Sequence, residues 1–107
     1  TQLTYGFSRD DCMKFLQDYY DDYLIYKDPF VMLDRNGVFE LINLAVQKIR
    51  SVKENMPIWL LGDIVSDPES IALALKLNIN RISCVPNKIP GTILAIAQAN
   101  IKEEKSK

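Results

Sequence analysis

A chain of 107 residues, 48% of them hydrophobic and 25% charged, has the composition of one ordinary globular domain and not of a disordered segment. A formal net charge of −1 removes any general attraction to nucleic acid or to an anionic membrane. The sequence shows neither an apolar run of about 20 residues that would span a bilayer nor a signal peptide.

In chain order, Leu3 to Phe7 is a candidate short strand. Arg9 to about Tyr26 then reads as a helix, with Phe15, Leu16, Tyr19, Tyr20, Tyr23 and Leu24 at helical spacings. Asp10 and Asp11 favour its start through the helix dipole, and Asp28-Pro29 breaks it. With no basic residues interleaved, the aromatic stripe is read as core and not as a platform for stacking bases. Asp18, Asp21 and Asp22 are read as a solvated face in preference to a cation site.

Asn36-Gly37 supplies a turn before the clearest helix, Val38 to about Val52. Its apolar stripe is Val38, Leu41, Ile42, Ala45, Val46 and Ile49. Met56 to Leu61 is a short apolar run, the pattern of a strand covered on both faces. Asp67-Pro68 opens the next helix, with aspartate as cap and proline at the first helical position, and Ile71 to Leu77 continues it. Arg81 to Val85 is a second strand, Thr92 to Ile101 a final helix, and Lys102 to Lys107 a frayed polar tail. This order implies an α/β fold with two or three parallel strands, joined by right-handed helical crossovers, and four or five helices.

Histidine is absent and Cys12 and Cys84 stand far apart. A zinc site of the usual Cys/His kind lacks ligands, and no Cys-His or Ser-His pair can form. The thiols are expected to be buried and reduced, as in a cytoplasmic protein. A chain opening on Thr1 instead of methionine is expected to be excised or processed.

Thr1-Gln2-Leu3-Thr4-Tyr5-Gly6-Phe7-Ser8-Arg9-Asp10-Asp11 carries a specific resemblance. Lys14-Phe15-Leu16, Asp28-Pro29-Phe30, Leu33-Asp34, Gly37-Val38, Ser83-Cys84-Val85-Pro86, Ile89-Pro90 and the helix from Ala95 to Ala99 follow in register. Together they resemble the C-terminal domain of pyruvate phosphate dikinases, the part that binds phosphoenolpyruvate and pyruvate. The resemblance spans residues 1 to about 101 and implies the C-terminal portion of an eight-stranded β/α barrel. Such a barrel takes about 250 residues, so this chain cannot close one alone.

The family's reaction, as the resemblance implies, passes a phosphoryl group between a histidine on another domain and pyruvate enolate. Magnesium holds the enolate oxygen, and a cysteine exchanges a proton with its methylene carbon. That cysteine opens the motif Cys-Gly-Glu-His-Gly-Gly, followed by an acid and proline. The matching segment runs from Leu61 to Pro68. Leu61 replaces the cysteine, Asp63 shortens the glutamate, and Val65 and Ser66 replace two glycines, while Gly62, Asp67 and Pro68 persist. The family's metal ligands and phosphate-binding arginines lie upstream of the matched region, and its later arginine stretch has become Gly91-Thr92-Ile93.

The resemblance therefore implies no catalytic residue in this chain, with Leu61 at the lost acid position. Losing a general acid costs about 10²–10⁴ in rate. Gly62 and Asp63 are the remaining candidates for substrate contact. For Asp63, capping of backbone amides is favoured over binding an amide or a cation. Cys84 is expected to be a structural residue within its strand, not a substitute acid. No cofactor is expected for this chain, although the family uses magnesium.

Three readings of function stay open: a catalytically inactive interaction or assembly module, one part of a larger or split dikinase, and a phosphoenolpyruvate or pyruvate sensor. The expected partner is a second copy of the chain, as in a homo-oligomer, or a missing barrel-completing segment. Neither nucleic acid nor a membrane is expected.

Overall fold

The computed structural model describes residues 1–105. Among these, six helices and two strands occur in the order α1 (Gln2–Tyr5), α2 (Arg9–Cys12), α3 (Leu16–Asp21), α4 (Val38–Val52), β1 (Trp59–Leu61), α5 (Pro68–Lys76), β2 (Arg81–Ser83) and α6 (Ile89–Lys105). Single 3₁₀ turns at Asp63–Ser66 and Pro86–Lys88 follow the two strands. The fold is α/β, with one helix more than expected. β1 and β2 pair in parallel, Trp59 beside Arg81, Leu60 beside Ile82 and Leu61 beside Ser83.

The N-terminal third departs from the pattern read in the sequence. Leu3 to Phe7 forms no strand. The Thr1 carbonyl accepts from the amides of Thr4 and Tyr5, both at 3.0 Å, and this winds the segment into α1. Gly6 then closes it at φ 76°, in the left-handed region that glycine enters without a Cβ clash.

The long helix expected from Arg9 to Tyr26 is two short ones. It breaks at Phe15, whose φ of −135° is not helical, and the Phe15 ring meets Phe7 edge-on at 5.0 Å. Phe7 also lies 6.0 Å from Phe30 and 5.6 Å from Tyr5. Edge-to-face ring pairs are worth about 0.5–1.5 kcal/mol each beyond burial, comparable to what a few helical residues gain. α3 stops at Asp21, well before Asp28-Pro29, with Tyr23 at φ 57°. Of the expected aromatic core stripe, Leu16 is buried, but Tyr19, Tyr23 and Leu24 are exposed.

Asp34 sets the start of α4. Its Oδ2 accepts from the amides of Gly37 at 2.7 Å and Val38 at 3.2 Å, and its carbonyl accepts from Phe39 at 2.9 Å. Only part of the expected α4 stripe is covered. Val38 and Val46 are buried, whereas Leu41, Ala45 and Ile49 are exposed.

The turn after β1, α5 and α6 hold a large part of the core. Val65, Ile71 and Ala74 are fully buried, and Ser70, Leu77, Thr92 and Ala95 nearly so. Asp67 caps α5 as read from the sequence, accepting from the Ser70 amide at 2.8 Å, with Pro68 at the first helical position. The Ser70 hydroxyl donates to Asp67 Oδ2 at 2.7 Å and accepts from the buried Leu33 amide at 2.9 Å. This relay fastens the segment before α4 to the head of α5.

At the opposite end, Arg50 donates to the carbonyls of Glu54 (3.0 Å) and Asn78 (2.7 Å). Asn80 Oδ1 receives the Ile58 amide at 2.8 Å. The turns that feed both strands are thereby tied together.

The strands are shorter than expected, three residues each, and are not covered on both faces. Leu60 and Ile82 are half-buried on one side, while Trp59, Leu61, Arg81 and Ser83 are exposed on the other. α6 begins before Thr92 and continues through Lys105, so Lys102 to Lys105 are helical and not a frayed tail. Ser106 and Lys107 lie outside the described residues. The radius of gyration is 15.1 Å, against about 13 Å for a compact domain of this size.

Candidate functional site

The candidate site lies where β1 ends. Gly62 sits at φ 121°, ψ 174°, a conformation that excludes a side chain. That geometry turns the chain out of the strand into the 3₁₀ turn at Asp63–Ser66 and drives Val65 into the core. Leu61, immediately before the turn, is 62% exposed. Its side chain can neither donate nor accept a proton.

Asp63 does not cap the turn that follows. The cap position belongs to Gly62, with no side-chain hydrogen bond. Instead, Asp63 Oδ2 lies 2.5 Å from Arg9 Nη2, with both side chains about half exposed. A pair so open to solvent stabilises the fold by about 0–1 kcal/mol. The sequence reading treated Arg9 as part of the opening motif and gave it no role at this site. No local signal joins the two residues, because they are distant in sequence and meet only in the folded chain.

Around this pair is a cleft of about 300 Å³, with Thr1, Phe30, Leu41, Ile42 and Leu61 among its walls. The site is therefore an apolar recess with a self-neutralised ion pair at its edge. It does not fit magnesium, which prefers near-octahedral oxygen ligation. Asp63, the carboxylate supplied by the strand end, is held by a guanidinium. Among the described residues, no three His, Cys, Asp or Glu side chains converge as a metal site. Asp18 and Asp21 on α3 and Asp22 just after it are exposed, and Asp21 accepts from Gln17 at 3.0 Å.

The thiols behave differently from each other. Cys12 is buried and its Sγ donates to the Arg9 carbonyl at 2.9 Å. Cys84 is half-buried, contrary to the expectation of full burial, with Sγ 3.5 Å from Thr92 Oγ1. It follows β2 instead of lying inside it, because the strand ends at Ser83.

A larger cleft of about 510 Å³ lies away from the strand ends, between Tyr5, the loop from Leu24 to Asn36, and Glu69. There Arg35 pairs with Glu69 at 3.5 Å. Burial, reinforced by the nearby Asp34 carboxylate, raises the Tyr5 hydroxyl above its ordinary pKa of 10.0. No helix among the described residues is long and apolar enough to cross a membrane.

No protein-family model matches the chain. Individual proteins do. A pyruvate, phosphate dikinase of Rickettsia typhi is 43% identical over 103 residues, which is 96% of this chain and 12% of the dikinase. The Clostridium symbiosum enzyme of that name is 39% identical over 104 residues, 97% of this chain and 12% of the enzyme. A chloroplastic form from Oryza sativa subsp. japonica is 39% identical over 98 residues, 92% of this chain and 10% of that protein. The chain thus spans about an eighth of the length of the curated relatives it matches. Identity at this level along nearly the whole chain makes it a homologue of one segment of pyruvate, phosphate dikinase.

Proposed function

We propose that this chain is a derivative of the dikinase C-terminal domain that does not catalyse phosphoenolpyruvate formation by itself and works as an interaction and assembly module. The observation that carries the proposal is Leu61. At the strand end, where the resemblance puts a proton-donating cysteine, the side chain is an exposed hydrocarbon. The neighbouring carboxylate is paired with Arg9, whose guanidinium would stand against a bare metal ion there. A missing general acid costs about 10²–10⁴ in rate, and loss of charge stabilisation for an enolate costs more.

The assembly role follows from what is uncovered. A two-stranded parallel sheet has two unpaired edges, which soluble proteins normally cover. Trp59 lies open on one face of the sheet, and Ile93 and Leu94 on α6 are also exposed. Further polypeptide that continues the sheet toward a β/α barrel suits this surface.

A second reading, one part of a larger or split dikinase, draws on the same surface and on the small share of each relative that the chain spans. The two readings agree on chemistry. With pyruvate, ATP and phosphate, the chain should give no phosphoenolpyruvate above background, and Leu61→Cys alone should not restore it. Near-normal turnover rejects the inactive reading. Sedimentation tests assembly, and a clean folded monomer with no tendency to associate or to bind a complementary dikinase segment rejects that role.

A further inference from the structure

The recess at the β1 end has a chemistry of its own, independent of whether the chain assembles. Arg9 and Asp63 stand side by side at 2.5 Å, half in solvent, against a cleft of about 300 Å³. That size lies at the small end of the range of about 300–1,000 Å³ for ligand pockets, which restricts any ligand to a small metabolite. The recorded contact joins one guanidinium nitrogen to one carboxylate oxygen. A guanidinium has five N–H donors and a carboxylate two oxygens, so both groups keep bonding capacity beyond this contact. Phe30, Leu41, Ile42 and Leu61 supply the apolar wall beside them.

A simple anion gains Arg9 but meets the Asp63 carboxylate, and a simple cation meets the reverse. A ligand carrying both charges a few bonds apart satisfies both groups, forming a four-charge arrangement with the resident pair. An apolar substituent on such a ligand would cover Leu61, which is 62% exposed.

We propose that this cleft binds a free α-amino acid with a branched apolar side chain. Its carboxylate lies on Arg9, its ammonium on Asp63, and its side chain against Leu61, Leu41 and Ile42. Leu61 then serves as the hydrocarbon floor of a binding site, a role its chemistry permits.

Calorimetric titration of the full chain tests this with L-leucine, isocaproate (no ammonium), isopentylamine (no carboxylate), glycine (no side chain) and phosphoenolpyruvate. L-Leucine should bind saturably at millimolar concentration or tighter, and each other compound about tenfold more weakly or worse, the factor set by loss of one charge-assisted contact. Asp63→Asn should weaken L-leucine about tenfold while strengthening isocaproate, since it removes both the ammonium's partner and the repulsion. The crossing of those two affinities is a signature that general destabilisation does not produce. If the variant fails to fold, the analogue series on the unaltered chain still decides. Absence of saturable L-leucine binding overturns the proposal, as does isocaproate or phosphoenolpyruvate binding as tightly as L-leucine. None of these outcomes depends on turnover or sedimentation, so this inference and the assembly reading fail separately.

Discussion

Replacing Ser70 with alanine removes the hydroxyl that joins two distant parts of the chain. Ser70 is 3% exposed. Its oxygen accepts from the Leu33 amide at 2.9 Å and donates to Asp67 Oδ2 at 2.7 Å. The α5 cap survives the change, because the backbone amide at position 70 still reaches Asp67 at 2.8 Å. What is lost is the acceptor for a buried N–H group, since Leu33 is itself 6% exposed. An orphaned buried donor costs about 1–3 kcal/mol, against about 1 kcal/mol for an ordinary hydrogen bond. The structure therefore gives a loss of about 2 kcal/mol for Ser70→Ala. In a domain of this size that lowers Tm by roughly 8–16 °C. Urea unfolding followed by far-ultraviolet circular dichroism measures it, with Asp67→Ala and the double variant completing a cycle. Ser70 and Asp67 share one relay, so their effects should not add. A loss below about 0.5 kcal/mol for Ser70→Ala, within the range of ordinary surface changes, would refute the claim that this hydroxyl holds the Leu33 segment to α5.

Gly37→Ala places a Cβ 2.7 Å from Thr4 Cγ2 and 2.9 Å from Asp34 Oδ2, and should cost about 1–3 kcal/mol in the same unfolding assay. Adding Thr4→Ser removes the first of these contacts and should recover part of the loss. Arg50→Lys keeps the charge but not the fork that reaches the Glu54 and Asn78 carbonyls, and should cost about 1–2 kcal/mol. The pKa of Tyr5 is raised by burial and by Asp34, so the folded state holds its phenolic proton more tightly than the unfolded chain does. Stability is then unaffected by this group below pH 10.0 and falls as pH rises through the folded-state pKa. Tyr5→Phe should flatten that alkaline fall, measured as urea midpoint against pH.

Features set by a few neighbouring residues were legible in the sequence. Asp67-Pro68 carries both its cap and its first-turn proline within two positions, and α5 starts there. α4 matches its expected range because its periodicity runs over fifteen residues. The failures share a cause in contacts between segments. Phe15 leaves the helix to meet Phe7, which in turn lies against Phe30, and no local spacing reveals this. Leu3 to Phe7 alternates like a strand, yet Gly6 in the left-handed region closes it as a helical turn. Periodicity tells which side of α4 is apolar but not whether anything covers it, and Leu41 and Ile49 are exposed. At the candidate site, the motif put Leu61 and Gly62 at the end of a strand, where the structure has them. Arg9 was not legible there, since it meets Asp63 only in the folded chain.

The motif at the end of β1 separates into two sets of positions once their structural work is known. Gly62, Asp67 and Pro68, where the chain agrees with the dikinase pattern, each do structural work that suits the residue type. Gly62 takes φ 121°, Asp67 caps α5 and Pro68 starts it. The positions that differ have other work. Leu61 is exposed, so exchanging a thiol for a hydrocarbon there disturbs no packing within the described chain. Val65, standing for a glycine, is fully buried and adds core volume. Asp63 reaches Arg9 and not a backbone amide. A strand end kept for chemistry would hold its reactive groups and tolerate strain in the scaffold. Here the scaffold residues agree with the pattern, one glycine position has become core, and the reactive position is hydrocarbon. On the function proposed above, the physical demands on this segment are those of folding and of covering an apolar surface.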